Sequence, residues 1–226
     1  MANLFTFGCS FTYGHGLEDC YDKNTNGPGP NPSKFAWPHL LGNKTGLVTI
    51  NRGKPGAGNA TILSNIMESH TAFSANDTVI ILWSFQSRYC YFTKDEMRYV
   101  TTQITKSGVK SWARGKGEIQ ETKNSSRFNA YHAHFSCVHN DRIRTLLIAN
   151  TATEYLKTKV KNVMHYSLEP IGVDYFTKEL LITPLDGEWS DIVTSNGKAL
   201  DGVHPDALAH EQLADAMYQK WKNNGK

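Results

Sequence analysis

Apolar positions along this chain follow two periods, and their alternation predicts most of its elements. Asn3-Leu4-Phe5-Thr6-Phe7-Gly8 is a short apolar, aromatic run that breaks at a glycine and predicts a buried first strand over residues 3–8. Residues 46–51 predict a second strand and residues 162–168 a fourth. The third, Asp77-Thr78-Val79-Ile80-Ile81-Leu82-Trp83, is continuously apolar rather than alternating, the pattern of a parallel strand covered on both faces. Helical spacing fills the intervals. Residues 35–42 form a short helix with Pro38 in its first turn and Gly42 at its end. Asn59 caps a helix over residues 60–73 that turns Ile62, Ile66 and Phe73 inward. Residues 135–157 carry Val138, Ile143, Leu146, Leu147, Ala149 and Leu156 as a core face, and a last helix from Pro205 carries Leu208, Leu213, Ala216, Met217 and Trp221.

Three stretches break this rhythm. Residues 22–33 are dense in Asn, Gly and Pro and predict a surface loop near residue 10. Residues 84–134 loosen into a polar segment with scattered aromatics, Tyr89, Tyr91, Phe92 and Trp112 among them, expected to be an insertion with one or two short helices. Residues 169–200 are mixed, with Leu180-Leu181-Ile182 a short strand or helix. Alternating strand and helix over the remainder imply one domain, residues 1–226, of α/β class. Its parallel sheet lies between two helical layers, with ligands outside the carboxyl ends of the strands.

Composition narrows the function classes. Twenty-four basic residues stand among 21 acidic ones for a net charge of +3, too mild and too dispersed for a nucleic-acid surface. The four cysteines, Cys9, Cys20, Cys90 and Cys137, have no CxxC spacing. Free thiols are expected, with a Cys9–Cys20 disulfide as the alternative. No basic stretch precedes an apolar h-region and no apolar run reaches membrane-spanning length, so a cytoplasmic protein without a membrane partner is expected. His132, His134, Cys137 and His139 lie close in sequence, but their polar surroundings offer no supporting shell, and no metal site is expected there.

The chemistry concentrates at the two ends. Gly8-Cys9-Ser10 delivers a serine at the edge of the first strand, and Asp201-Gly202-Val203-His204-Pro205 supplies an acid three residues before a histidine. A serine hydroxyl needs a base to take its proton, and that base needs an acid to hold its tautomer, so Ser10, His204 and Asp201 form a candidate catalytic triad. Between them, Arg52-Gly53-Lys54-Pro55-Gly56-Ala57-Gly58-Asn59 follows the second strand as a glycine-rich turn. It lacks the endings of a P-loop or a dinucleotide fingerprint, and Ser10 lies outside a GxSxG elbow.

Together Gly8-Cys9-Ser10-Phe11-Thr12, Pro55-Gly56-Ala57-Gly58-Asn59 and Asp201-Gly202-Val203-His204-Pro205 resemble the first, second and fifth sequence blocks of the SGNH, or GDSL-like, hydrolases, and the segment from Trp37-Pro38 to Leu41 is similar to one in small bacterial and phage-encoded members. The resemblance implies a flavodoxin-like three-layer α/β/α sandwich that hydrolyses O-acyl esters, acetyl or other short chains on carbohydrates among them, without metal or organic cofactor. It implies Ser10 as nucleophile, His204 as base and Asp201 as orienting acid, with the Ser10 and Gly56 N–H groups as oxyanion donors. One block departs. The family's third block supplies an oxyanion Asn, whereas this chain reads Leu82-Trp83-Ser84-Phe85-Gln86-Ser87-Arg88. Gln86, or else Ser84, is the expected replacement, and Arg88 is a candidate contact for a polar substrate group. Alternative outcomes are a non-catalytic carbohydrate-binding or virion-associated accessory protein, and an acyltransferase. The oligomeric state is left open.

Overall fold

The computed structural model describes residues 2–93, 98–105, 108–115, 118–121, 125–171 and 186–224. Chain order runs β1 (Asn3–Phe7), α1 (Ser10–Tyr13), β2 (Tyr21–Asp22), β3 (Gly27–Pro28), α2 (Trp37–Thr45), β4 (Val48–Asn51), α3 (Asn59–Glu68) and β5 (Thr78–Trp83). Then come β6 (Tyr89–Thr93), β7 (Arg98–Thr105), β8 (Gly108–Gly115), β9 (Glu118–Glu121), α4 (Ser125–His134) and α5 (Val138–Lys157). The chain closes with β10 (Asn162–Ser167), β11 (Gly187–Glu188), α6 (Ser190–Ser195) and α7 (Ala207–Asn224).

Five parallel strands form the main sheet in the spatial order β4-β1-β5-β10-β11. Renumbered within that sheet the order is 2-1-3-4-5, the flavodoxin-like arrangement, whose ligand crevice lies where the winding reverses between the first and third strands. Register brings the carboxyl ends together: Thr6 pairs with Asn51, Phe7 with Ile81 and Ser167 with Trp83. The loops leaving β1, β4, β5 and β10 therefore share one edge. Helix α2 packs on α7 and α3 on α5. All six residues of β5 are buried, as its unbroken apolar run requires of a strand covered on both faces. Phe5 and Phe7 meet Phe73 edge-on at 5.0 and 6.1 Å between ring centres, extending the core beyond the end of α3.

Several expectations are revised. The insertion after β5 holds one short helix, α4, as expected, but is chiefly an antiparallel four-stranded sheet, β6-β7-β8-β9, which was not expected. Its strands carry the β-branched residues Val100, Thr101, Thr102, Ile104 and Thr105, which suit a pleated surface even in a polar segment. Helix α5 begins at Val138; Val138 and Leu147 face solvent, while Thr145 and Ala152 join Leu146, Ala149 and Leu156 inside. On α7, Leu208 is exposed and Ala214 replaces Ala216 among the buried positions. Gly46, with φ of 71°, ends α2 in place of Gly42. All four cysteines are free. Residues 180–182 lie outside the described residues. Among the described residues no helix is long and apolar enough to cross a membrane.

Candidate active site

Strand β1 passes to α1 through Gly8, where there is no room for a side chain. A Cβ on Gly8 would fall 2.0 Å from Thr12 Oγ1 and 3.0 Å from the Leu82 carbonyl oxygen. The following turn makes Ser10 the first residue of α1, where an N–H has no intrahelical acceptor. Gly14, with φ of 82°, closes this single turn and donates its N–H to the Ser10 carbonyl.

The loop before α7 brings the partners. The Ala199 N–H donates to the His204 carbonyl and Gly202 adopts φ of 69°, folding the segment back on itself. Asp201 Oδ1 accepts the backbone N–H groups of Val203 at 2.9 Å and His204 at 3.0 Å, while Oδ2 lies 2.5 Å from His204 Nδ1. His204 Nε2 is 2.8 Å from Ser10 Oγ. An ionised carboxylate only accepts, so Nδ1 carries the proton and Nε2 keeps a lone pair toward the serine hydroxyl. Burial pushes the Asp201 carboxyl upward, but hydrogen bonds from the His204 ring, its N–H and the Val203 N–H hold it well below the usual carboxylate range. The structure thus joins Ser10, His204 and Asp201 in one hydrogen-bonded line.

Aromatic groups enclose the line. Phe11 stands edge-on to His204, Trp189 and Phe85 at 5.4, 5.7 and 6.0 Å between ring centres. His15 lies against the other side of His204, ring centres 4.4 Å apart, with its Nε2 3.9 Å from Asp201 Oδ2. Burial, helped by His204 and opposed by Asp201, lowers the His15 pKa to about 4, so its ring is neutral at pH 7. Nothing in the hydropathy pattern marks His15; the signal available was a histidine between two glycines directly after the serine's helix turn. His210 is packed inside α7, where Nδ1 accepts the Trp37 N–H.

The glycine-rich turn runs beside the serine. Arg52 and Lys54 N–H groups donate to the Thr6 and Gly8 carbonyls, and a Cβ on Gly53 would sit 2.6 Å from the Tyr13 nitrogen. Gly56 adopts φ of 75° within the turn closed by Ala57 N–H to Lys54 O. Asn59 is the first residue of α3 rather than its cap, a position that Gly58 takes. Its Oδ1 accepts the Ser84 N–H at 2.8 Å, and its Nδ2 donates to the Ser84 carbonyl and to Thr145 Oγ1.

The segment after β5 departs from expectation. Gln86 Nε2 donates to the Pro170 carbonyl at 2.9 Å, and its N–H donates to the Glu169 carboxylate. Ser84 is buried and its Oγ accepts from Arg88 Nη1 at 2.9 Å. Arg88 also donates from Nη1 to the Ala57 carbonyl and from Nε to Gln103 Oε1, and lies over the Phe85 ring. These three side chains make their hydrogen bonds to the scaffold. His132 is buried with Nε2 at 3.0 Å from Thr102 Oγ1. Among the described residues the one cluster with metal-ligand proximity is His15, Asp201 and His204, away from the 132–139 segment.

No family model and no curated protein sequence matches this chain. Solved structures do. An acetyl xylan esterase from the rumen bacterium Butyrivibrio proteoclasticus superposes with a TM-score of 0.56 at 8% identity, covering 99% of this chain and 64% of that one. A carbohydrate esterase family 2 enzyme with a carbohydrate-binding domain, from Corynascus thermopiles (Myceliophthora fergusii), gives 0.52 at 10% identity, covering 100% and 67%. A G-D-S-L family protein from Desulfitobacterium hafniense gives 0.49 at 11%, covering 97% and 99%. This chain thus spans about two thirds of the length of the two esterases. Sheet order, helical layers and the superpositions on the two esterases agree that the chain has a flavodoxin-like α/β fold shared with those enzymes.

Proposed function

We propose that the protein is a serine esterase that hydrolyses O-acyl esters, with acetyl or other short acyl groups on carbohydrate as the substrate class. The observation that carries this is the line from Ser10 Oγ to His204 Nε2 at 2.8 Å and from His204 Nδ1 to Asp201 Oδ2 at 2.5 Å. In the reaction, Ser10 Oγ attacks the acyl carbon as Nε2 takes its proton. Asp201 stabilises the imidazolium that forms, and Nε2 returns the proton to the departing alcohol. A water activated by the same nitrogen then releases the acid and restores Ser10. The Ser10 N–H, unpaired within its helix turn, is the first oxyanion donor, and the Gly56 turn beside it offers the second. The carbohydrate part of the proposal draws on the two superposed carbohydrate esterases and on no contact in this chain.

A specific observation supports a second reading. The Gln86 amide is bound to the Pro170 carbonyl, and loss of one oxyanion donor lowers rates roughly 100- to 1,000-fold. A chain with two donors would turn its ligand over slowly, as a binding protein with residual activity.

Fluorophosphonate labelling followed by intact-mass measurement separates the two. The esterase reading expects one adduct on the wild type, absent in Ser10→Ala and much slower in His204→Ala, with release of acetate from acetylated xylo-oligosaccharides. A folded wild type that takes no label would overturn it in favour of the binding protein.

A further inference from the structure

One group at the site has no part in the proposed acyl transfer: His15. Its place is fixed by backbone. Gly14 and Gly16 flank it with φ of 82° and 94°, and a Cβ on Gly16 would lie 2.9 Å from Asp201 Cγ and Oδ1 and from Ala199 Cβ. Leu200 N–H donates to the Gly16 carbonyl at 3.0 Å, and His15 N–H to the Ser10 carbonyl at 3.1 Å. The loop is thereby held against the Asp201 segment, closer than any residue with a side chain could come. The His15 side chain is 11% exposed, and its Nε2, 3.9 Å from Asp201 Oδ2, is buried without a hydrogen-bond partner. A buried ring nitrogen without a partner, directed at a carboxylate, calls for an explanation.

We propose that His15 Nε2, Asp201 Oδ2 and His204 Nδ1 form a binding site for a divalent transition-metal ion, of which zinc is the probe, and that its occupancy switches the serine off. One ligand atom from each residue lies within 4.8 Å of the other two. Two imidazoles and a carboxylate suit zinc, nickel or copper, and disfavour magnesium and calcium, which take all-oxygen sets. An ion about 2.0–2.2 Å from each donor needs the Asp201–His204 contact to widen by roughly 1 Å and the His15–Asp201 gap to narrow slightly, with solvent as fourth ligand.

Binding and catalysis exclude each other through the tautomer. Metal on Nδ1 occupies the electron pair that held the proton there, and the proton moves to Nε2, leaving the ring neutral. Nε2–H then faces Ser10 Oγ as a donor and cannot accept the hydroxyl proton. The inhibition rests on the esterase reading; the binding does not.

Two measurements test this on the full chain. Cobalt(II) titration of the metal-stripped protein, read by visible absorption, should show one tetrahedral-type site per chain, lost in His15→Phe, which keeps a ring against His204 but has no nitrogen. Circular dichroism checks that the variant is folded. In parallel, zinc should suppress fluorophosphonate labelling of Ser10 reversibly with EDTA, and His15→Phe should raise the half-inhibiting zinc concentration about 10- to 100-fold, each rate being scaled to that variant's own metal-free value. Unchanged zinc sensitivity in His15→Phe, or cobalt binding that survives it, overturns the proposal. If the wild type takes no label even in EDTA, the esterase reading fails and cobalt binding alone decides the metal site.

Discussion

On one side of Ser10, the loop carrying Asp201 and His204 turns its polar side chains toward one another and toward the serine. On the other, the segment after β5 turns its polar side chains into the scaffold: Gln86 to the Pro170 carbonyl and Arg88 to the Ala57 carbonyl and the Ser84 hydroxyl, while Asn59 holds the Ser84 backbone. The difference follows from what each segment must support. The Asp201 loop bonds within itself, through Asp201 Oδ1 to two of its own N–H groups, so Oδ2 is left for His204. The segment after β5 must join an inserted sheet to the main one. Gly58, at the start of α3, whose Cβ would fall 2.3 Å from Cys90 Sγ, marks how closely the inserted sheet approaches that helix. Arg144 adds hydrogen bonds to the Gln86 and Arg88 carbonyls and to Tyr131 Oη, tying α4 and α5 to the same segment. Polar groups bond to one another where the loop is locally self-sufficient, and to the scaffold where an insertion has to be anchored.

The contrast is broken most forcefully on the Asp201 side. Asp201→Asn keeps the shape but can present an N–H to His204 Nδ1, favouring the tautomer whose Nε2 carries the proton. An expected fall of about 10,000-fold in kcat/KM for ester hydrolysis, measured with a short-chain ester, follows from that loss. A fall below tenfold would mean that the 2.5 Å contact is structural and that the two sides of the site do not differ in kind.

On the scaffold side the expected response is to acid rather than to loss of the reaction. His165, at the β5–β10 junction, accepts the Trp83 indole N–H on Nδ1 at 3.1 Å, and Nε2 lies 3.1 Å from Thr153 Oγ1. Burial lowers its pKa to about 4. The folded state therefore binds fewer protons than the unfolded chain between pH 4 and about 6.5, and stability is full above 6.5 and falls as pH drops toward 4. The loss is at most about 3 kcal/mol from this residue. Urea unfolding at pH 7 and pH 4.5 measures it. A His165→Gln variant should show a flatter dependence, and an unchanged slope would remove His165 from the account.

How far these features were legible in the sequence depended on the range of the interaction. Strand β5 could be read because an uninterrupted apolar run is itself the signature of a covered strand, and β1 because its short apolar, aromatic run breaks at Gly8. The meeting of Ser10, Asp201 and His204 could be read because each lies within two residues of a glycine, Gly8 or Gly202, near an element boundary. Asn59 looked like a helix cap, since no local pattern reveals that its amide binds Ser84 twenty-five residues on and Thr145 beyond that. The β6–β9 sheet was concealed by its polar composition, although Val100, Thr101, Thr102, Ile104 and Thr105 carried the β-branched signal. His15 was silent because its place depends on Asp201, reached only through the folded topology.

The smallest expected effect sharpens the comparison most directly. If Gln86 were an oxyanion donor, Gln86→Ala would lower kcat roughly 100- to 1,000-fold with KM little changed, since the donor would act chiefly in the transition state. Its amide instead donates to the Pro170 carbonyl, while its backbone N–H meets the Glu169 carboxylate. Truncation removes the first of these and keeps the second. The expected result is a kcat within about threefold of wild type and a small loss of stability, about 1 kcal/mol, for the unpaired carbonyl. The measurement is a kcat and KM determination on a short ester beside a thermal melt. A large kcat loss with an unchanged melt would show that the amide leaves Pro170 when substrate binds, and the division between a chemical side and a scaffold side would not hold.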